Sequence, residues 1–235
     1  MDISVIIPIY NEENSINLAY NGIKGIFLNL HKQYELIFVN DGSTDNSLSV
    51  LKNILQADKS VKIISFDKNY GQSSALDAGF KHAKGEIILT IDADLQYAPQ
   101  DLLRIIDELE SSDIDAVFGK RINRASGFVK TICSNLAVFV RNVVLQETYQ
   151  DCSLAGYRKI CLRDLVLYGE TQVFIPALLI MEGRRIKEIN VREYPRKYGK
   201  SKYGIRNRFL KGLHALLVIK WMKSHKLKYK IAETL

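Results

Sequence analysis

Apolar residues in the N-terminal half follow two alternating rhythms. Short, nearly unbroken runs read as parallel strands buried on both faces: Ile3–Tyr10, Tyr34–Asp41, Val61–Asp67, Glu86–Asp92 and Asp115–Arg121. Between the first two runs, Ile16, Ala19, Ile23, Ile26, Phe27 and Leu30 recur at helical spacing. After the second run, GSTDNSLSVLKNIL supplies cap candidates and then an apolar stripe. Ser43 or Thr44 is the expected cap, which would leave Asp41 free. After the fourth run, Pro99 sits where a first helical turn should start, with Leu102, Ile106 and Leu109 on one face beyond it. Strand and helix alternating through short joints predict an α/β domain over roughly the first 120 residues, with boundaries good to about 2–4 residues.

The second half is less regular. Phe128–Leu145 reads as a helix crossing under the sheet, and RRIKEINVREYPRKYGKSKYG reads as a strand followed by a basic loop. Residues 206–224 read as a helix, flanked by Lys and Arg.

Each strand run ends in polar residues. The first ends in YNEE (Tyr10–Glu13), the second in NDGSTD (Asn40–Asp45), the third in DKNYGQSSAL (Asp67–Leu76) and the fourth in DADLQ (Asp92–Gln96). In an open α/β sheet, ligands bind beyond these carboxyl ends, so acidic and amide side chains converge where a ligand should sit. Such a cluster repels itself unless a cation or ligand donors neutralise it. Asp92, Asp94 and Gln96 alternate, and a strand-like period of two would aim all three the same way. A hard cation such as Mg²⁺ or Mn²⁺ is held by one or two carboxylates plus substrate phosphates. A metal-bridged nucleoside diphosphate is therefore the simplest occupant, with Asp41 placed to bond a ribose or base edge. No G-x-G-x-x-G follows the first strand and no G-x-x-x-x-G-K-[ST] occurs, which excludes the dinucleotide and P-loop readings.

Charge sharpens this picture. The chain of 235 residues carries a net +7, unevenly spread. Sixteen Lys and Arg lie between Arg184 and Lys230 against only Glu188 and Glu193, so that stretch holds +14 and the remainder −7. An acidic body with a basic tail implies an anionic partner: a substrate phosphate, a membrane surface or a nucleic acid. Aromatic platforms are not interleaved with these cations, which counts against nucleic acid. The N-terminus opens directly on a strand pattern with Pro8 inside it, unlike a secretory signal. The nearest candidate for a membrane span, Leu213–Met222, is too short and carries His214 and Lys220. Three cysteines, Cys133, Cys152 and Cys161, lack CxxC spacing and fit buried thiols in a reducing cytoplasm.

In order along the chain, VIIPIYNEE, VNDGSTDNS, NYGQSSALDAGFKHAKGE and IDADLQ resemble the consecutive motifs of glycosyltransferase family 2, the inverting GT-A enzymes. DCSLAGYRK (Asp151–Lys159) resembles that family's D-x-x-x-G-[FY]-R motif. REYPRKYGKSKYG (Arg192–Gly204) resembles the R-x-x-G-x-S-K loop of its polyprenyl-phosphate branch, which includes dolichol-phosphate mannosyltransferase and the undecaprenyl-phosphate sugar transferases. The resemblance covers residues 3 to about 210.

It implies a GT-A, Rossmann-like, mostly parallel twisted sheet flanked by helices. Residues 1–204 would form the catalytic domain and 205–235 a basic helical extension for a membrane surface or an oligomer contact. Pro8, Tyr10, Glu12 and Asp41 would bind the nucleoside. Asp92 and Asp94 would hold Mg²⁺ or Mn²⁺ and the diphosphate, with Gln96 as a third ligand. Arg121 would lie near the sugar or acceptor phosphate and Asp151 near the reaction centre. Arg196, Ser201 and Lys202 would close over both phosphates. In one departure, Ser134-Asn135 stands where many relatives have Ser-Arg, with Lys130 as a possible substitute.

The implied reaction is inverting transfer from a UDP- or GDP-sugar to a polyprenyl phosphate at the cytoplasmic membrane face. The protein would reach that face peripherally through its basic tail or through a membrane-anchored partner, and a homo-oligomer is a further candidate assembly. A phosphate acceptor is already ionised near neutral pH and needs positioning more than deprotonation. A sugar hydroxyl on a growing glycan would instead need a base, for which Asp151 is the candidate. The reading from another class is a nucleic-acid-binding protein using the basic tail.

Overall fold

The computed structural model describes residues 1–28, 30–122, 149, 153–169, 171–195 and 216–226. Seven strands form one sheet: β1 (Ile3–Ile9), β2 (Tyr34–Asn40), β3 (Val61–Ser65), β4 (Ile87–Thr90), β5 (Ala116–Arg121), β6 (Ala155–Arg158) and β7 (Ile186–Val191). Their order across the sheet is β3-β2-β1-β4-β6-β5-β7. Neighbours pair in parallel except at β6, which runs antiparallel to both β4 and β5. The helices α1 (Ile16–Phe27), α2 (Ser47–Ala57), α3 (Gln72–His82), α4 (Asp101–Ser111) and α5 (Ile175–Met181) follow in chain order, and residues 216–225 form α6.

Strict alternation along the strands sorts the core into two layers. Ile3, Val5, Ile7 and Ile9 of β1 and Leu36 and Phe38 of β2 join a cluster with Ile16, Ile23, Leu51, Leu102 and Leu109, on the α1, α2 and α4 side. Ile6, Ile37, Val39 and Ile88 face the other way, into a cluster with Ala75, Leu76, Ile175 and Leu179 of α3 and α5. A smaller cluster joins α5 to α6 through Leu178, Leu216 and Ile219.

All six expected strands are present: β1 to β5 are each one to three residues shorter than expected, and β7 falls in the run that begins at Arg184. The largest difference is at β4, which stops at Thr90 and not at Asp92. The Ile91 amide still bonds to the Ile6 carbonyl of β1 (3.2 Å), and Ala93 remains buried beyond it, so the apolar run outlasts the strand. Residues 92–96 are therefore a turn, with Leu95 at φ 61, and the period-of-two alignment of Asp92, Asp94 and Gln96 does not apply. The α4 helix starts at Asp101, two residues beyond Pro99, whose carbonyl accepts the Leu102 amide. Pro8 is tolerated in a central strand because it lies past the last β1–β4 pair, Ile6–Thr90, where β1 is paired with β2 only.

Strand β6 was not anticipated. Gly156 is required there, because a Cβ would sit 2.2 Å from Cγ2 of Ile105 on α4. The expected helix at 128–145, Cys133, Cys152 and the basic loop at 196–204 lie outside the described residues. Cys161 is buried, and that burial together with the Asp115 charge pushes its thiol up to about 12.

A buried carboxylate ties the opposite edge of the sheet. Glu35 accepts from the Ser4 hydroxyl (2.7 Å) and the Lys84 amide (2.7 Å), and pairs with Lys62. Burial alone would raise its pKa, but the Lys62 ammonium and these two donors outweigh it, and the group sits below the usual glutamate range. A depressed folded-state pKa contributes stability at pH values above the unfolded value of about 4.3, and loses it as pH falls through the folded one. The melting temperature of the wild type should therefore fall more steeply below pH ~4.3 than that of Glu35→Gln. Parallel acid profiles would remove this role.

Candidate active site

Because β1, β2, β4 and β5 run in parallel, their carboxyl ends open on one edge, and the loops leaving them are tied to one another. Between the β1 and β2 loops the ties are reciprocal. The Asn11 amide donates to Ser43 Oγ (3.0 Å) while the Thr44 amide donates to Asn11 Oδ1 (2.7 Å). The Glu13 amide donates to Asp45 Oδ2 (3.2 Å) while the Asn46 amide donates to a Glu13 carboxylate oxygen (3.0 Å). Asn11 adopts φ 53, a left-handed conformation that Asn tolerates better than most residues. Ser43 and Thr44 are thus spent on the neighbouring loop and do not cap α2. Asp45 takes the Ser47 amide at the helix start instead, at 2.9 Å.

Asp41 is buried and is not free. Its carboxylate accepts from Asn69 Nδ2 (2.8 Å) and from the amides of Tyr70 (2.7 Å) and Gly71 (2.9 Å). Gly42 allows this approach. It has φ +63, and a Cβ there would lie 2.2 Å from the Lys68 carbonyl carbon. Asp41 therefore fixes the loop that leads into α3, and any nucleoside contact must coexist with these three bonds.

Glu12 uses its amide on Ser47 Oγ (2.8 Å) and accepts the Ser15 hydroxyl at its carboxylate (2.6 Å). Tyr10, half-buried, follows the end of β1.

The turn after β4 presents the two aspartates differently. Asp94 is 5% exposed, and its Oδ1 accepts the Gln96 amide at 3.1 Å, which closes the turn. Asp92 is partly exposed and accepts at Oδ1 from Gln72 Nε2, 3.1 Å away, at the first residue of α3. The Gln96 side chain faces Glu193, with Nε2 3.5 Å from its Oε1, and the Gln96 carbonyl accepts the Tyr194 amide at 2.8 Å. Arg121, at the end of β5, lies 3.6 Å from the same Glu193 oxygen. Gln96 and Arg121 thus meet at a carboxylate that the sequence reading did not single out. Gln72 and Asn69 were missed as individuals, although both stand in the polar run after the third strand. Asp151, Arg196, Ser201 and Lys202, with Lys130, Ser134 and Asn135, lie outside the described residues.

Among the described residues, no three or more His, Cys, Asp or Glu side chains gather as a ready metal cage. Two carboxylates on one short turn are instead an incomplete set of hard oxygen donors. That suits Mg²⁺ or Mn²⁺ completed by substrate phosphate, and does not suit a soft-ligand metal.

A seven-stranded α/β sheet with one reversed strand, and an acidic Asp-x-Asp turn at its carboxyl edge, define a GT-A glycosyltransferase. Residues 4–154 match the profile of Glycosyl transferase family 2, and the chain belongs to that family. Among curated relatives, a dodecaprenyl-phosphate galacturonate synthase of Rhizobium johnstonii is 34% identical over 229 residues, covering 95% of this chain and 68% of the relative. An undecaprenyl-phosphate 4-deoxy-4-formamido-L-arabinose transferase of Proteus mirabilis is 37% identical over 205 residues, covering 86% and 62%. This chain therefore spans about two thirds of the length of these relatives.

Among solved structures, a glucosyl-3-phosphoglycerate synthase of Mycobacterium tuberculosis in complex with phosphoglyceric acid aligns with TM-score 0.72. It is 19% identical, and the match covers 94% of this chain and 80% of that one. The same enzyme in complex with Mn²⁺, uridine-diphosphate-glucose and phosphoglyceric acid also aligns with TM-score 0.72. At that identity the likeness speaks for the fold alone.

Proposed function

We propose that this glycosyltransferase moves a sugar, with inversion, from a UDP- or GDP-sugar to a polyprenyl phosphate at the cytoplasmic face of a membrane. The names of the curated relatives, which specify dodecaprenyl- and undecaprenyl-phosphate, are the observation that carries the acceptor. The donor reading is supported by the chemistry of the edge, where the Asp92 and Asp94 carboxylates of one turn suit a divalent cation that a diphosphate would complete.

In this reading Asp92 and Asp94 hold a divalent cation, with Gln96 beside them. When bound, that cation supplies positive charge for the diphosphate as the anomeric bond breaks. Pro8, Tyr10, Glu12 and Asp41 form the nucleoside end of the cleft. Arg121 lies toward the sugar or the acceptor phosphate, its guanidinium oriented by Glu193. Asp151 stands near the reaction centre, and Arg196, Ser201 and Lys202 close on the phosphates. The phosphate acceptor arrives already ionised, so these residues need only orient it.

Residues 1–204 act as the catalytic unit and 205–235 as its basic extension. Among the described residues, no helix is long and apolar enough to cross a membrane. Helix α6 packs Leu216 and Ile219 inward, while Leu217 (57% exposed), Trp221 (62% exposed) and Lys220 face out. That outer face supports peripheral contact with an anionic lipid surface.

The test is thermal unfolding with UDP, GDP and their sugars, with and without Mn²⁺. The correct nucleotide at about 100 times its Kd should add about 2.7 kcal/mol, raising the midpoint by roughly 5–10 °C, and more with Mn²⁺ than without. A midpoint indifferent to every nucleotide would sink the donor assignment.

A further inference from the structure

Five consecutive residues at the start of α3 are held from three directions. Asn69, Tyr70 and Gly71 donate to the Asp41 carboxylate. Ser73 Oγ accepts the Gln172 amide at 3.1 Å and also meets that side chain's Oε1. Between these anchors, Gln72 sends its carboxamide N–H to Asp92 Oδ1, 3.1 Å away. The Gly71 amide and the Ser73 hydroxyl, on either side of Gln72, are both held, which places the root of its side chain within reach of Asp92.

We propose that Gln72 is a positioning residue for the cation site, setting the orientation of the Asp92 carboxylate. The proposal rests on the reading that Asp92 and Asp94 bind a divalent cation with the donor diphosphate. The choice of side chain fits that task. A lysine or arginine at this position would cancel the charge on Asp92 and compete with the cation. A neutral carboxamide orients the carboxylate and leaves its charge for the metal. A carboxylate oxygen has more than one lone pair, so the Gln72 bond and a metal bond can share the group. Ligating carboxylates are generally hydrogen-bonded in this way, and loss of such a partner weakens metal binding by about 10–100-fold.

The same segment links the two ends of the cleft. Asp41 at the nucleoside end fixes residues 69–71, and residue 72 fixes Asp92 at the diphosphate end.

The test is a Mn²⁺ titration followed by electron paramagnetic resonance, in saturating UDP or GDP, for the wild type, Gln72→Leu, Gln72→Met and Gln72→Asn. Nucleotide affinity without metal is measured alongside by calorimetry, and unfolding midpoints check that each variant folds. Leu and Met should weaken Mn²⁺ uptake about 10–100-fold while metal-free nucleotide affinity stays at the wild-type value. Gln72→Asn keeps the neutral carboxamide but draws its donor back by one methylene from Asp92, so a drop in its Mn²⁺ affinity reports the loss of the contact even if the apolar variants fold poorly. Wild-type Mn²⁺ affinity in the variants that fold overturns the inference. So does an equal loss of metal-free nucleotide binding, which would assign the contact to loop structure alone. A wild type that takes up no Mn²⁺ with either nucleotide overturns the reading of the cation site itself, and the positioning role with it.

Discussion

Asp94→Asn should lower the rate of sugar transfer by about 10²–10³-fold while leaving the fold in place. The two halves of this expectation come from two oxygens. Asp94 is nearly buried, and one oxygen accepts the Gln96 amide that closes the turn. Asparagine keeps a carbonyl oxygen able to accept that amide, so the turn persists and the unfolding midpoint of the ligand-free protein should stay close to wild type. What asparagine loses is the negative charge. On the proposed reading, one carboxylate in place of two would hold a divalent cation poorly and leave the departing diphosphate with less compensation. Steady-state transfer assays and the Mn²⁺ dependence of nucleotide binding check this together. Unchanged Mn²⁺ dependence in the variant would remove the metal role from this residue.

Gly42→Ala should cost stability and ligand affinity at once. The residue has φ +63, and its missing Cβ would overlap the backbone of Lys68 and Asn69, at 2.2 and 2.5 Å. A left-handed conformation costs a non-glycine residue about 1–3 kcal/mol, and here the clash is with main chain, which cannot rotate away. A total of about 2–4 kcal/mol is expected, lowering the midpoint by roughly 4–16 °C. The relief available to the chain is to push residues 68–69 outward, and this pulls Asn69, Tyr70 and Gly71 off the Asp41 carboxylate. Nucleotide affinity should fall with stability. A midpoint unchanged in differential scanning calorimetry would falsify this account.

The sheet was largely legible because β1 and β2 carry apolar residues on both faces and α1 and α4 carry single stripes. Those patterns are local and follow from burial alone. Strand β6 was not, because Ala-Gly-Tyr-Arg has no alternation and owes its place to the space Gly156 leaves for Ile105. The end of β4 was misjudged for a related reason. The Ile91 amide makes the last bond to β1, on the Ile6 carbonyl (3.2 Å), yet Ala93 stays buried beyond it, and hydropathy reports burial, not pairing. At the site, the acidic turn and Asp41 could be picked out by their positions after strands. The work of Asp41 on residues 69–71, and of Ser43 and Thr44 on Asn11, could not. Those contacts join residues about thirty apart, and no local pattern marks them.

The reversed strand has a consequence for how such a protein can diversify. Strand β5 ends at this edge with Arg121, and β6 begins at the same edge, where Ala155 pairs with Thr90 and the Ser153 carbonyl accepts the Thr90 hydroxyl at 3.0 Å. Departure and return of the intervening chain are thus anchored side by side. The stretch between them can grow, shrink or be exchanged as a cassette without shifting the register of any strand. A change of length there would leave the reciprocal ties between the loops after β1 and β2 untouched.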